Sequence, residues 1–160
     1  MKLNEMPCLR AVPIKTKNKK WWQRARLHKS YVRNWEVYKQ WKFKRFGTIF
    51  VIPKSFIFDG ASIPKYLWSS FGSPTGVLFV PGLIHDFAYR YGYIWVKYSD
   101  GEYGKYYGNQ KHWDDLFCEL GKDMNNSKAV SRVAWSMLRM FGRFAWKANR
   151  KRNAPEMKPA

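Results

Sequence analysis

Apolar and polar residues alternate over 35–43, and in several segments after residue 80 the apolar residues recur every three or four positions. Alternation predicts half-buried strands, first at Trp35 and Val37 and then, after a shift, at Trp41 and Phe43. The apolar runs 48–52 and 56–58 predict two more strands. These segments favour a small antiparallel meander.

The second half of the sequence predicts three main helices. Pro81 can begin a helix that reaches about Tyr91, because its missing N–H costs nothing in a first turn. Asn109 or Gln110 begins a second helix, which continues to about Met124. The third follows a cap at residue 126 or 127, and its apolar residues are spaced by three or four: Val130, Val133, Met137, Phe141 and Phe144.

Basic residues of the third helix fall outside that apolar stripe: Arg132, Arg139, Arg143 and Lys147. Gly142 lies inside the helix, where glycine costs about 1 kcal/mol relative to alanine. Its presence indicates close packing or a kink. The third helix is therefore expected to be amphipathic and basic.

Irregular segments separate these elements. Gly and Pro in 59–64 end strand pairing, and Ser62 is suited to cap a short helix containing 65–70. The segment 93–108 is rich in Tyr, Gly and charge, which is typical of a loop or an irregular hairpin.

The chain has 160 residues, enough for one domain, and its hydrophobic fraction of 46% excludes a disordered protein. We expect an α+β fold with a short antiparallel sheet followed by three main helices. The boundaries predicted are a basic, Trp-containing arm over 1–34, one globular domain over 35–150, and a basic flexible tail over 151–160.

Positive charge is concentrated at the two ends. The formal net charge is +19, yet residues 46–127 carry seven basic and eight acidic groups. Such an excess favours an anionic partner, either nucleic acid or an anionic membrane. Two cysteines without metal or disulfide spacing favour a reducing compartment. Neither a secretory signal peptide nor a transmembrane segment is recognisable in the sequence.

The candidate catalytic residues are His85, Tyr89 and Asp114. The four-residue spacing puts His85 and Tyr89 on one helical face. If the first two helices run antiparallel, Asp114 can accept hydrogen bonds from both, leaving the other imidazole nitrogen free to take a proton from water. A one-residue shift of register would give this role to Asp115 instead.

Asp86 lies about 100° around the helix from His85 and is a candidate ligand for a divalent cation such as Ca²⁺, because hard cations prefer oxygen donors. Asp59 is a second candidate for the same cation. The simpler interpretation of Asp59 and Ser62 is a turn and a helix cap, and that of His85 is a locally hydrogen-bonded histidine.

The motif His85-Asp86-x-x-Tyr89, followed by Asp114 three residues before Phe117, resembles the catalytic core of phospholipase A-two, particularly the parvovirus capsid version. The resemblance covers about Leu83 to Leu120. It implies that His85 is the base, that Asp86 holds calcium and that Asp114 orients His85. The glycine-rich calcium loop of that family would fall near 65–69, where this chain has no glycine.

A wider resemblance, over roughly 35–145, is to domain of unknown function 1353, a family common in tailed bacteriophages. It is carried by segments that match the family pattern in order: 52–56, 58–64, Trp68, 84–89 and 113–117. This resemblance implies a viral origin, with the host cytoplasm or the virion as the place of action and other virion proteins as further partners. It implies no particular reaction.

Aromatic and basic residues are interleaved in the arm, most clearly at Trp21, Trp22, Arg24, Arg26 and Lys29. This mixture stacks bases and pairs phosphates in nucleic-acid-binding proteins, and it also suits a membrane interface.

Three functions remain open from the sequence. The first is a phage-encoded, phospholipase-like hydrolase acting at an anionic membrane. The second is a non-enzymatic nucleic-acid-binding or virion protein in which the His-Asp motif is structural. The third, a metal phosphohydrolase, ranks last because His28 in the arm is the only histidine upstream of His85.

Overall fold

Two antiparallel sheets and three helices form an α+β architecture in the computed structural model, which describes residues 6–14, 17–18, 20–22, 34–59, 76, 78–126 and 128–160. The strands are β1 (Leu9–Ala11), β2 (Trp35–Val37), β3 (Trp41–Arg45), β4 (Thr48–Ile52), β5 (Ile57–Phe58), β6 (Tyr93–Lys97) and β7 (Tyr103–Tyr107). The helices are α1 (Phe79–Tyr91), α2 (Gln110–Asn125) and α3 (Lys128–Arg152).

The strands form a three-stranded sheet in the order β1-β2-β5 and a four-stranded sheet in the order β3-β4-β6-β7. The alternation at 35–43 therefore belongs to two strands in different sheets, β2 and β3. On β3, Trp41 and Phe43 are buried while Lys42 and Lys44 are exposed, as period two requires.

The segment 93–108, expected to be a loop or an irregular hairpin, is a regular hairpin. Strand β6 pairs with both β4 and β7, and its residues 93–96 are all buried. The run 93–96 is apolar throughout, as a strand buried on both faces requires, and it is the Gly and charged residues after it that are typical of a loop. The hairpin returns the chain from the end of α1 to the start of α2.

Two segments predicted to flank the domain make contacts with it. Residues 9–11, placed in the arm, form the edge strand β1 and pair with β2, where Arg10 and Glu36 form an ion pair. The end of the chain, expected to be a flexible tail, lies against the four-stranded sheet. There the indole of Trp95 donates to the carbonyl of Met157 at 2.8 Å.

Helix α1 is buried on most of its surface and lies centrally between sheet residues and the other two helices. Gly92 ends it in the left-handed conformation, at φ 81°, and its N–H donates to the carbonyl of Ala88. The guanidinium of Arg150 from α3 fills the space beside Gly92 and donates to the carbonyl of Tyr89 at 2.6 Å.

Only part of the apolar stripe predicted for α3 packs on the domain: Val130 lies half-buried against Leu78 and Phe117, and Met137 is also half-buried. The fully buried residues of α3 are Ser131 and Gly142, two small residues that permit close approach. Val133, Phe141 and Phe144 of the predicted stripe are exposed. The expected helix after Ser62, over 65–70, falls outside the described residues.

Gly142 confirms the prediction of close packing. A Cβ at this position would lie 2.6 Å from the hydroxyl oxygen of Tyr89, closer than real contacts allow. The absence of a side chain at Gly142 therefore lets α3 approach α1.

Replacing Gly142 tests this contact. Gly142→Ala gains about 1 kcal/mol of helix propensity, but overpacking against a fixed ring costs about 1–3 kcal/mol, so we expect a net loss in the free energy of unfolding. Denaturant unfolding measures it. In a Tyr89→Phe background the same substitution should cost less, and Ser136→Ala at an exposed position of α3 should change stability little. An equal loss of stability in the wild type and in Tyr89→Phe would show that the strain does not come from contact with the Tyr89 hydroxyl.

Candidate functional site

Helices α1 and α2 run antiparallel, which is the condition that the sequence argument required. The N–H of Gly108, just before α2, donates to the carbonyl of Gly92, just after α1, at 3.3 Å. Further along the pair, the ring of His85 lies 5.4 Å from the ring of Phe117. Earlier residues of α1 therefore meet later residues of α2.

Asp114 lies at the centre of a polar network, hereafter the Asp114 network. Its side chain is fully buried, at 0% exposure. Oδ1 is 3.0 Å from Nε2 of His85 and accepts from the Tyr89 hydroxyl at 2.5 Å. Oδ2 accepts from Arg139 at 3.0 Å and from Gln110 at 3.5 Å. The structure thus brings His85, Tyr89 and Asp114 together.

The chemistry of Asp114 assigns the hydrogen on the His85 ring. A carboxylate has only acceptor sites, so Nε2 carries the hydrogen and donates it. In a neutral imidazole, Nδ1 is then the basic nitrogen. The neighbouring Asp115 accepts instead from Lys111 and from the Trp135 indole, which settles the register left open by the sequence in favour of Asp114.

The environment keeps His85 neutral and Tyr89 protonated. Burial lowers the pKa of His85, and the hydrogen bond and charge of Asp114 oppose that shift in part. Burial, together with the hydrogen bond to Asp114, raises the pKa of the Tyr89 hydroxyl. A neutral imidazole can accept a proton, and a protonated phenol remains a donor to the carboxylate.

Arg139 is the member of the site that sequence reasoning missed. It was assigned to the polar surface of α3, yet it forms an ion pair with the buried Asp114 carboxylate. The sequence does contain a pattern that could have identified it: Arg139 lies on the same face of α3 as Trp135, Gly142 and Trp146, which are spaced by three or four residues. A buried carboxylate requires a compensating charge, and the cation comes from the third helix.

Asp86 and Asp59, the two predicted cation ligands, also lie together. Asp59 lies close enough to Asp86 for its negative charge to act on the Asp86 carboxyl group. Burial raises the pKa of Asp86 well above its ordinary value, and the neighbouring Asp59 raises it further. One carboxyl oxygen of Asp86, Oδ2, is inaccessible to solvent and has no hydrogen-bond partner.

The donor atoms of this pair are of the type that a hard divalent cation prefers, because both side chains offer oxygens and one buried oxygen is unpartnered. The pair provides too few ligands by itself, because Ca²⁺ takes six to eight oxygens. Within the described residues no group of three His, Cys, Asp or Glu side chains is placed to hold a metal. The expected calcium loop near 65–69 lies outside that part of the chain.

Access to His85 is narrow, since only 6% of it is exposed. A cavity of about 230 Å³ lies between α2 and the four-stranded sheet, and its lining includes Arg45, Phe50 and His112. That cavity includes neither His85 nor Asp114, so it is separate from the Asp114 network.

Of the predicted arm residues, Trp21 and Trp22 are exposed, with their rings edge to face at 6.0 Å. The ammonium of Lys20 lies 4.9 Å from the centre of the Trp22 ring. Arg24, Arg26 and Lys29 lie outside the described residues. In the described helices, none is long and apolar enough to cross a bilayer.

Comparison with known proteins gave one match. A family model described as "Protein of unknown function (DUF1353)" matches residues 35–142, which include every residue of the Asp114 network and both Asp59 and Asp86. No curated protein and no solved structure matched the chain.

The lowered pKa of His85 predicts an acid-sensitive contribution to stability. The unfolded chain takes up a proton near pH 6.5 that the folded chain does not, so stability falls as pH drops through that value, at up to about 1.4 kcal/mol per pH unit. Thermal unfolding at pH 5 to 8 measures it. His85→Gln, which keeps an amide donor but does not titrate, should flatten this part of the profile.

Asp86 has the opposite dependence, because its raised pKa favours the folded state at low pH and that stability is lost as pH rises. Asp86→Asn therefore separates the two contributions. If wild type and His85→Gln show the same slope below pH 6.5, His85 is not buried as a neutral base.

Proposed function

The chain belongs to the DUF1353 family over residues 35–142, and we propose that it is a phage-encoded hydrolase that cleaves lipid esters at an anionic membrane with His85 as general base. One observation carries the proposal: His85 and Tyr89 donate to the same buried oxygen of Asp114. This arrangement leaves Nδ1 of His85 as the basic nitrogen.

In the proposed reaction, Nδ1 of His85 removes a proton from water, and the hydroxide attacks the ester carbonyl carbon. Collapse of the tetrahedral intermediate breaks the bond to the alcohol oxygen, which takes the proton from His85. The products are a fatty acid and an alcohol. A positioned general base of this kind contributes typically 10²- to 10⁴-fold to the rate.

Asp114 positions His85 and stabilises the imidazolium that forms when the proton is transferred. Tyr89 and Arg139 act on Asp114 rather than on substrate. Their donors hold the carboxylate in one orientation, and the positive charge of Arg139 offsets the cost of burying it. They are positioning residues.

Asp86 and Asp59 are proposed to hold a divalent cation such as Ca²⁺, which would polarise the ester carbonyl. The unpartnered oxygen of Asp86 supports this assignment. In a hydrolysis assay, Asp86→Asn should then remove any dependence on added Ca²⁺.

A lipid substrate at an anionic surface is supported by charge. The chain carries a formal +19, and its neutral middle stretch contains His85, Tyr89 and Asp114 while its flanks are basic. Basic segments concentrate a protein at an anionic membrane.

The alternative function is non-enzymatic binding of nucleic acid, in the host cytoplasm or within the virion together with other virion proteins. The contact of Lys20 with the exposed ring of Trp22 favours it, because such pairs stack bases and bind phosphates. In that case the Asp114 network would only hold the helices together.

The hydrolase proposal predicts loss of activity from a single substitution. His85→Gln should lower fatty-acid release from phosphatidylglycerol micelles by roughly 10²- to 10⁴-fold, because the base is removed while the donor to Asp114 is kept. The chain offers two matched controls. His112→Gln changes another histidine, and Asp115→Asn, to be compared with Asp114→Asn, changes the carboxylate next along α2.

We expect Asp114→Asn to slow the reaction and both controls to retain wild-type rates. Wild-type protein without esterase activity, or equal activity in wild type and His85→Gln, contradicts the proposal.

The alternative predicts salt-dependent binding of single-stranded DNA. The logarithm of the binding constant should fall with the logarithm of salt concentration, with a slope of about −0.7 for each phosphate neutralised. Trp22→Ala should weaken binding by about 1–3 kcal/mol if the indole stacks on a base, and Phe46→Ala, an exposed aromatic on the β3–β4 turn, should not. Affinity that is insensitive to salt rules out this mode.

A further inference from the structure

Helix α3 carries an exposed apolar ridge on the side away from the domain. The ridge consists of Val133, Met140, Phe141 and Phe144, with exposed fractions of 40%, 65%, 52% and 75%. At 3.6 residues per turn these positions lie largely opposite the buried Ser131 and Gly142. Large apolar side chains grouped in this way mark an interaction surface.

The same helix is strongly cationic. It contains eight basic residues and no acidic one. Arg139 binds Asp114, and Arg150, itself exposed, donates to the carbonyl of Tyr89. The other six make no ion pair within the described part of the chain: Lys128, Arg132, Arg143, Lys147, Lys151 and Arg152.

We propose that α3 docks the protein on an anionic lipid surface, with its outer ridge inserted at the depth of the headgroups and its outward basic residues on the lipid phosphates and carboxylates. A helix with exposed Phe and Met beside unpaired Lys and Arg has the composition of an interfacial helix. The inference rests on the proposed function for the membrane as the place of action, but it does not require hydrolysis.

Charge and shape favour an anionic lipid surface over the other possible partners of the ridge. A second copy of the chain would bring two cationic helices together, and the basic arm would be repelled in the same way. Nucleic acid would bind the Lys and Arg side chains, but Val133 and Met140 have no flat ring on which a base can stack. A bilayer with anionic headgroups accommodates both the apolar and the cationic groups.

The test measures binding of the full chain to vesicles of phosphatidylcholine with and without phosphatidylserine. His85→Gln protein is used so that no lipid is consumed. We expect binding only to the anionic vesicles, with loss of at least tenfold in affinity for the double variant Phe141→Ser, Phe144→Ser. Phe46→Ser, which removes an even more exposed phenylalanine on the β3–β4 turn, should bind like the parent.

The contribution of the basic residues is tested with a matched pair of double variants. Each Lys or Arg near an anionic surface contributes about fivefold to binding, so Arg143→Gln with Lys147→Gln should weaken it by roughly 25-fold. Lys42→Gln with Lys44→Gln, on the exposed face of β3, should change it little. Melting temperatures of all variants should match the parent, since these side chains face solvent.

Three results overturn the inference. The first is equal vesicle binding by the ridge variant and its parent. The second is loss of single-stranded DNA binding in that variant without loss of vesicle binding, which assigns the ridge to nucleic acid. The third is a melting temperature lowered by several degrees, which shows that the chain itself covers the ridge.

Failure of the docking and failure of the proposed function are distinguishable. Vesicle binding without ester hydrolysis by the wild type would contradict only the proposed function, and hydrolysis of micelles without vesicle binding would contradict only the docking.

Discussion

Burial of a single carboxylate constrains how the three helices pack. Asp114 on α2 is inaccessible to solvent and accepts hydrogen bonds from His85 and Tyr89 on α1 and from Arg139 on α3. An unpaired buried charge costs several kcal/mol, so the helices are stable only in the arrangement in which these donors meet. The same requirement fixes the tautomer of His85. Packing and chemistry therefore depend on one set of hydrogen bonds.

Helix α3 has two faces with different tasks. Its inner face, with the small residues Ser131 and Gly142, approaches the other helices closely and supplies the cation that Asp114 needs. Its outer face carries the exposed ridge and most of the unpaired positive charge of the helix. A contact made on the outer face is thus only one helix diameter, about 10–12 Å, from the Asp114 network.

The sequence patterns predicted where helices and strands occur better than they predicted which face of each is buried. Strand β4 follows from its apolar run, and the start of α2 follows from Asn109, whose side chain accepts from the N–H of His112. Helix α1 begins at Phe79, two residues before the start predicted from Pro81. The segment 93–108 remained open between a loop and an irregular hairpin, because Gly and charged residues follow the apolar run of β6. On α3, periodicity identified an apolar stripe of which only part packs on the domain, while the buried positions are the small residues Ser131 and Gly142. The convergence of His85, Tyr89 and Asp114 was predictable because spacing fixes a shared face. Arg139 was not, since arginine is ordinarily a surface residue.

The ion pair between Asp114 and Arg139 has a consequence for synthesis. A nascent chain that has left the ribosome only as far as α2 already contains His85, Tyr89 and Asp114, but it lacks the cation. Closing the first two helices at that stage would bury an uncompensated carboxylate. The helical half of the domain can therefore complete its packing only when α3 has left the ribosome and Arg139 can reach Asp114.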